Sequence, residues 1–119
     1  MTTVERDWGS YTIIADGAQW TTKILRIKKD KSISLQRHFW RTEHWLFLEG
    51  RGLFWKEHMP KALEQKSGMA VWIVKNQLHW VKNISPHTQD LVILETWMGT
   101  KLDEKDIERI ADETIIPIE

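Results

Sequence analysis

The 119-residue sequence predicts a single all-β domain over residues 1–119, a sandwich or barrel of short strands. Two observations predict this class. β-branched and aromatic residues are concentrated in short runs, and turn signals such as Asp16-Gly17 separate the runs at intervals of roughly eight to twelve residues. The length supports one domain, because a chain of this size can bury roughly two-thirds of its unfolded surface without cross-links.

The predicted strands follow one another along most of the chain. They cover residues 11–14, 20–27, 32–38, 43–48, 53–55, 62–64, 70–74, 79–82 and 91–97. Gly50 and Gly52 end the run over 43–48, because glycine weakens a strand and favours a turn. The sequence therefore predicts a β-rich body with strands from residue 11 to residue 97.

Only the C-terminal part is predicted to be helical. Leu102, Ile107, Ile110 and Ala111 have helical spacing, and Asp103 is a suitable N-cap, so a short helix is expected over 102–112. Residues 114–118 are too apolar for a free tail. They are expected to pack against the barrel or against a second subunit.

Composition narrows the class of function. Seventeen basic and seventeen acidic residues cancel, which argues against a general nucleic-acid binder. The absence of cysteine excludes disulfides, thiolate metal sites and cysteine nucleophiles. No signal-peptide pattern or membrane-length apolar run is present, so a soluble, cytoplasmic protein without membrane contact is expected. Eight tryptophans are many for this length, and a homodimer that buries some of them is expected.

A candidate metal site begins with two residues on one strand. Gln36 and His38 are two apart, so both side chains leave the same face. Glu43 begins the next strand and shares its face with Trp45 and Phe47, which are apolar. Burying these polar groups is costly unless a partner satisfies them, and a metal ion can do so. Ordinary polar residues on a strand rim remain an equal alternative on this pattern alone.

His79 is the candidate fourth ligand. It begins a strand after the turn at residues 75–77. Together with Gln36, His38 and Glu43 it would offer nitrogen and oxygen donors. Such donors suit one divalent ion, with zinc first and iron, manganese, nickel or cobalt as alternatives.

The spacing of these residues resembles the two motifs of the cupin superfamily. The first motif is matched by Gln36, His38, Glu43 and Gly50, with glutamine in place of the first histidine. The second is matched in register by Gly68, Val74, Asn76, His79 and Asn83, where valine and asparagine replace a proline and a glycine. Membership would imply a double-stranded β-helix, or jelly-roll, barrel.

A closer resemblance is to type II phosphomannose isomerases. It is carried by residues 8–11, 34–38, 41–45 and 95–99, and it extends over about residues 6–112. In that family the module is usually the C-terminal part of a bifunctional isomerase and mannose-1-phosphate guanylyltransferase, and no guanylyltransferase domain is seen here. The resemblance implies a metal-dependent isomerase that interconverts mannose 6-phosphate and fructose 6-phosphate through an enediolate. The alternative is a non-catalytic, metal-containing cupin that binds a sugar or another small ligand.

The resemblance also suggests substrate residues. Arg41 is the first candidate for the phosphate, since its guanidinium suits bidentate oxyanion contacts. Lys23 is the second, because it alternates in phase with Leu25 and Ile27 and would point inward with them. The catalytic base would be Lys23 or a metal-bound hydroxide. Solvated surface roles for Arg41 and Lys23 remain an open alternative.

The other histidines are placed outside the metal site. His44 should face away from it because it neighbours Glu43 on a strand. His58 and His87 lie in turn-like segments, where exposed structural roles are expected.

Two departures from the family affect the substrate side. Phe39 and Trp40 stand where the family usually has histidines, and they are expected to add bulk near the site. The closing Tyr-Gly-Arg of the family is missing after Asp112. These departures favour the non-catalytic alternative, whereas the matching ligand positions favour the isomerase.

Overall fold

The computed structural model describes residues 1–118 and is built almost entirely of β-strands. In chain order the strands are β1 (Thr2–Arg6), β2 (Gly9–Asp16), β3 (Trp20–Ile27), β4 (Leu35–Arg37), β5 (Thr42–Glu49), β6 (Arg51–Lys56), β7 (Leu63–Lys66), β8 (Ala70–Ile73), β9 (His79–Asn83), β10 (Leu91–Met98) and β11 (Glu108–Ile110). A single 3₁₀ turn follows over Glu113–Ile115. The predicted all-β class is confirmed.

The strands form two antiparallel sheets that face each other. One has the order β1-β2-β3-β10-β5-β8, and the other has the order β11-β4-β9-β6-β7. Strands that are neighbours in space are often distant in sequence, as in the pairings of β10 with β3 and with β5. This arrangement is the double-stranded β-helix barrel that the sequence predicted.

The main core lies between the sheets because alternate residues of each strand point inward. Trp45 and Phe47 of β5 and Ile93 of β10 are fully buried. Burying a large apolar side chain contributes roughly 1.5–3 kcal/mol. A second cluster covers the outer side of the five-stranded sheet and consists of Leu35, Trp55, Ala62, Leu78, Trp80 and Ile116. The inward face of β5 carries Trp45 and Phe47 in the main core and then Glu43.

The predicted helix over 102–112 is wrong. Asp103 accepts a hydrogen bond from the backbone of Lys105 and caps a turn rather than a helix. Strand β11 follows this turn and pairs with β4, with Ile110 opposite Leu35. The edge of β4 offers backbone partners that the isolated segment lacks, and this pairing overrides the weak helical spacing.

The C-terminal residues pack on the barrel, as expected. Ile116 is buried in the second cluster. The backbone nitrogen of Ala62 donates to the carbonyl of Pro117 at 2.7 Å. This contact attaches the end of the chain to the five-stranded sheet beside β7.

The tryptophans divide between the interior and the surface. Trp45, Trp55, Trp80 and Trp97 are buried, whereas Trp20, Trp40 and Trp72 are exposed. The expected homodimer stays a prediction. Within residues 1–118, no helix has the length and apolar character needed to cross a bilayer.

Candidate metal centre

Three side chains from both sheets converge at one end of the barrel. His38 directly follows β4, His79 begins β9, and Glu43 lies on β5. The pairing of β4 with β9 places His79 beside the His38 segment, while Glu43 comes from the opposite sheet. All three side chains are buried, and one ligand atom from each lies within 4.8 Å of the others.

Both imidazoles are held with Nε2 towards the carboxylate. His38 Nδ1 donates to the carbonyl of Asp106 at 2.7 Å, and His79 Nδ1 donates to the carbonyl of Gln77 at 2.9 Å. A carbonyl only accepts, so each Nδ1 carries the proton and each Nε2 carries a lone pair. Among the described residues, the buried His79 Nε2 has no hydrogen-bond partner.

The electrostatics favour neutral imidazoles and an ionised carboxylate. Burial lowers the pKa of His38 to about 4 and also lowers the pKa of His79. Burial opposes the charge on Glu43, but His79, His38 and Arg41 together lower the pKa of Glu43 to about 2. Both imidazoles are therefore neutral near pH 7, and Arg41 is the residue among these three that still carries a positive charge beside Glu43. Neutral imidazole and carboxylate are the forms that bind a metal ion.

The geometry fits a metal ion. His38 Nε2 is 3.2 Å from Glu43 Oε2, and His79 Nε2 is 3.9 Å from Glu43 Oε1. Ligand atoms at zinc-ligand distances from a tetrahedral metal lie about 3.4 Å from one another. The backbone bonds at Nδ1 are the usual second contacts of metal-binding histidines. The His38–Glu43–His79 group can therefore hold an ion, which would act as a Lewis acid for a bound oxygen ligand.

Gln36 lies beside this group but its oxygen points elsewhere. Its Nε2 is 3.5 Å from His38 Nε2, and its Oε1 accepts a hydrogen bond from Ser34 at 2.9 Å. The amide would have to rotate to present its oxygen to an ion. The role of Gln36 as a ligand stays a prediction.

Arg41 is buried against the metal group. Its Nε donates to Glu43 Oε2 at 2.8 Å, and its Nη2 lies 3.2 Å from His38 Nε2. Its guanidinium carbon is 3.4 Å from the centre of the Trp97 ring. Arg41 is therefore not a solvated surface residue, although its role towards a phosphate stays a prediction.

Lys23 points into the barrel, as its phase with Leu25 and Ile27 predicted. Only 2% of its surface is exposed. Its ammonium lies 3.4 Å from the Trp97 ring centre and 4.3 Å from the Tyr11 ring centre, and it pairs with Glu104 at 2.5 Å. Burial lowers the pKa of Lys23. Its part in substrate binding or base catalysis stays a prediction.

A cavity of about 290 Å³ opens beside the metal group. His38 and Gln36 lie in its wall, with Tyr11, Trp97 and residues from β2, β3 and β10. The charged wall residues are Arg6, Lys23, Arg41, Arg109, Asp7, Glu95 and Glu104. Two of the candidate ligands, Gln36 and His38, therefore share one space with the charged residues.

The sequence reading missed Glu95 as a site residue. Its carboxyl is buried and accepts a hydrogen bond from Trp97 Nε1 at 3.0 Å. Burial and the nearby charge of Glu43 raise the pKa of Glu95 well above its ordinary value, which favours the protonated form. The signal was available, because Glu95 is an acid on the inward face of β10 between Ile93 and Trp97.

Asp106 and Glu104 were also missed, and no local signal identified them. Asp106 accepts hydrogen bonds from the backbone of Phe39 and Trp40 at 2.8 and 3.0 Å. Glu104 pairs with Lys23 across 81 positions of sequence. Both lie in the turn that replaces the predicted helix, so the wrong helix concealed their roles.

The expectation that Phe39 and Trp40 add bulk near the metal site is wrong. Their side chains are 44% and 50% exposed, and they line a separate shallow groove with Lys101 and Ile107. Their backbone bonds to Asp106 turn the chain so that the side chains point outward.

The remaining histidines lie where the sequence placed them. His44 faces away from the metal group and packs against Trp72 with the two rings tilted, and 4.6 Å separates the ring centres. His58 and His87 are exposed and have positive φ angles of 85° and 56°, which are typical of turns. Asn76 also has a positive φ, 67°, and its backbone nitrogen donates to the carbonyl of His38 at 2.8 Å. The turn before His79 therefore forms with Asn76 in the place where the cupin motif has a glycine.

Comparison with solved structures supports the fold. KdgF from Halomonas sp. has a TM-score of 0.73 at 8% identity, over 85% of this chain and 90% of that protein. Oxalate decarboxylase from Lactobacillus farciminis, solved as a formate complex, has a TM-score of 0.74 at 16% identity, over 92% of this chain and 33% of the other. At these identities the likeness shows the cupin fold alone.

Curated relatives share more sequence. A mannose-1-phosphate guanylyltransferase of Sinorhizobium fredii is 31% identical over 94% of this chain. The alginate biosynthesis protein AlgA of Pseudomonas putida is 34% identical over 98% of this chain. The chain spans only 21% and 24% of the length of these two proteins.

These relatives overturn the predicted isomerase. Mannose-1-phosphate guanylyltransferases of Sinorhizobium fredii and Salmonella are named as nucleotidyltransferases and not as aldose-ketose isomerases. The resemblance was to a bifunctional family with an isomerase and a guanylyltransferase activity. The isomerase activity was assigned to this chain, whereas these relatives are named for the guanylyltransferase activity. The predicted interconversion of mannose 6-phosphate and fructose 6-phosphate is therefore wrong.

The family itself is shown by a match along most of the chain. The model of the family described as "Mannose-6-phosphate isomerase C-terminal" matches residues 1–112. Those residues contain His38 directly after β4, His79 at the start of β9, and the turn that orients His38. The family's description names the C-terminal part of a longer protein. With its cupin barrel and its buried His-His-Glu group, this chain belongs to the mannose-6-phosphate isomerase C-terminal family.

Proposed function

We propose that this chain is a metal-binding cupin that binds a small phosphorylated sugar beside the ion. His38, Glu43 and His79 would bind one divalent ion, and Gln36 would join them after rotation of its amide. Zinc is the first candidate because two imidazoles and one carboxylate form a common zinc donor set. Iron, manganese, nickel and cobalt accept the same donors.

One observation carries the metal part of the proposal. Two buried imidazoles have Nδ1 bound to backbone carbonyls, and both Nε2 atoms face the carboxylate of Glu43. The buried Nε2 of His79 has no partner within the described chain. Leaving a buried acceptor unsatisfied is costly, and an ion would satisfy it.

The charges of the cavity wall support an anionic ligand. Four basic residues, Arg6, Lys23, Arg41 and Arg109, line the cavity. Of the three acidic wall residues, Glu95 favours its protonated form and Glu104 is paired with Lys23. A bound ion would add positive charge beside these residues. An anionic group with several oxygens, such as a phosphate, complements this wall.

The sugar part of the proposal is supported by the names of the relatives and by aromatic groups in the wall. The proteins from Sinorhizobium fredii and Salmonella that are similar to this chain are named mannose-1-phosphate guanylyltransferases. Tyr11 and Trp97 line the cavity. The volume of about 290 Å³ lies near the lower limit of small-molecule sites. We propose binding only, because guanylyl transfer is named for proteins of which this chain spans about a fifth.

The test measures metal and ligand in sequence. The purified protein should contain, or take up, one divalent ion per chain by mass spectrometry, and Glu43→Gln should not. Metal-loaded wild type should then bind mannose 1-phosphate by calorimetry and bind mannose without phosphate much more weakly. His44→Ala is the matched control, because His44 lies on the outer face of the same strand. Wild-type protein that takes up no ion under any loading condition would refute the proposal.

A further inference from the structure

The guanidinium of Arg41 contacts two atoms that an ion would need as ligands, Glu43 Oε2 and His38 Nε2. Nε donates to Glu43 Oε2 at 2.8 Å, and Nη2 lies 3.2 Å from His38 Nε2. Nη1 donates to the carbonyl of Asp103 at 3.3 Å. Two of these three contacts are made to candidate metal ligands.

His38 cannot serve both partners at once. Its Nδ1 proton is donated to the carbonyl of Asp106, so Nε2 has one lone pair to offer. That lone pair either accepts the Nη2 hydrogen of Arg41 or binds an ion. A cation at the coordination position would also repel the guanidinium, which is permanently charged.

The cavity offers space for the Arg41 guanidinium when it no longer contacts His38. The guanidinium lies against the Trp97 ring, and both residues line the same cavity. Its bond to the Asp103 carbonyl is independent of the metal ligands. A movement of the guanidinium away from His38 that keeps its contact with the Trp97 ring would turn Nη2 towards the cavity, where its hydrogens would face an anion.

We propose that Arg41 and the metal ion compete for His38 and Glu43, and that the ion turns Arg41 into the cavity as an anion-binding group. This inference rests on the proposed function, because it requires that an ion binds. Metal binding should then increase the affinity for a phosphate group. Coupling between two ligands is reciprocal, so the anion should increase the affinity for the metal by the same factor.

The experiment titrates Co²⁺ into metal-free protein and follows calorimetry together with the visible absorption of the bound ion. Arg41→Met keeps the apolar volume and removes all hydrogen-bond donors. It should bind Co²⁺ on the order of tenfold more tightly than wild type, because the ion no longer displaces a competitor. Lys23→Met is the control for charge: Lys23 lies near the same Trp97 ring without a hydrogen bond to a candidate ligand. It should change Co²⁺ affinity much less.

The second arm measures mannose 1-phosphate binding with and without Co²⁺. Wild type should bind the sugar phosphate several-fold more tightly when metal-loaded, and Arg41→Met should lose most of that difference. Equal Co²⁺ affinity in wild type and Arg41→Met would overturn the competition and leave the metal site intact. An equal gain in Lys23→Met would overturn it too, since charge alone would then explain the effect. Failure of wild type and Arg41→Met alike to bind Co²⁺ would refute the proposed function and, with it, this inference.

Discussion

The Nδ1 atom of His38 donates to the backbone carbonyl of Asp106 at 2.7 Å, across 68 positions of sequence. This bond fixes the tautomer and the orientation of the imidazole, because the carbonyl can only accept. The side chain of Asp106 also accepts from the backbone of Phe39 and Trp40. One residue of the C-terminal turn therefore holds the segment between β4 and β5 in the form that presents His38 and Arg41.

Asp106→Ala should weaken the metal centre without removing a ligand. Two backbone N–H groups of Phe39 and Trp40 would lose their acceptor, at a cost of about 1–3 kcal/mol of unfolding free energy. The backbone carbonyl that accepts from His38 Nδ1 remains in this variant, so the fall in Co²⁺ affinity should come from a less well held His38 segment and stay below the roughly 10- to 100-fold loss typical of removing a ligand's own hydrogen-bond partner. Urea denaturation and Co²⁺ titration measure the two effects. Asp103→Ala is the matched control, because its exposed side chain accepts only a local bond from Lys105; a similar loss there would contradict this role of Asp106.

His79→Ala should abolish stabilisation by metal. A ligand that binds only the folded state stabilises it by about 2.7 kcal/mol at a concentration one hundred times its dissociation constant. Wild type should show such a gain on addition of Zn²⁺, measured as a rise in the thermal midpoint. His44→Ala should show the same rise, because His44 packs on Trp72 outside the barrel. A rise that persists in His79→Ala would place the ion elsewhere.

Strand alternation predicted the inward faces of the barrel well. Lys23, Leu25 and Ile27 were expected to share a face, and their exposed fractions are 2%, 5% and 0%. A strand has a period of two, so one known inward residue fixes its neighbours. The same logic placed His44 outside. Alternation also placed Gln36 and His38 on one face, because a strand face is a local property of sequence, but the spacing of the two cupin motifs was needed to favour a metal site with Glu43 and His79.

Contacts that depend on distant segments could not be predicted. Residues 2–6 form β1 on the edge of the larger sheet, yet four of these five residues are exposed and carry no alternating pattern. The C-terminal turn has helical spacing, but the residues after it form β11 because they pair with the edge of β4. For this reason the bond of Asp106 to His38 and the bonds of Arg41 to Glu43 and His38 appear in the structure alone.

Asn83 is predicted to stabilise the fold and to leave metal binding unchanged. It is fully buried, and its Nδ2 donates to the carbonyls of Ile27 and Gln89 at 2.8 and 2.9 Å. Its Oδ1 accepts from the backbone of Ser85 at 2.8 Å. Asn83→Ala should lower the unfolding free energy by about 3 kcal/mol, since three bonds to buried groups are lost. Urea denaturation checks this, with Gln89→Ala as the control whose side chain is exposed. Loss of metal affinity in a folded Asn83→Ala protein would contradict the assignment.

The metal-free protein should lose stability through His38 as the pH falls from 6.5 to 4. Burial lowers the pKa of His38 in the folded protein from 6.5 to about 4. Between these values the unfolded chain binds a proton that the folded protein does not, so stability decreases with falling pH. The contribution is fully present above pH 6.5 and lost by about pH 4, and it amounts to at most about 3 kcal/mol.

Comparison with His38→Gln isolates this contribution. Glu95 acts in the opposite direction, because its raised pKa makes the folded protein more stable as the pH falls. Glu95 and His79 are present in both proteins, so their effects largely cancel in the difference. The unfolding free energy of wild type minus that of His38→Gln should decrease steadily from pH 6.5 to 4 in urea titrations. A difference that stays constant over this range would show that His38 titrates near its ordinary pKa, and that burial does not keep its imidazole neutral between pH 6.5 and 4.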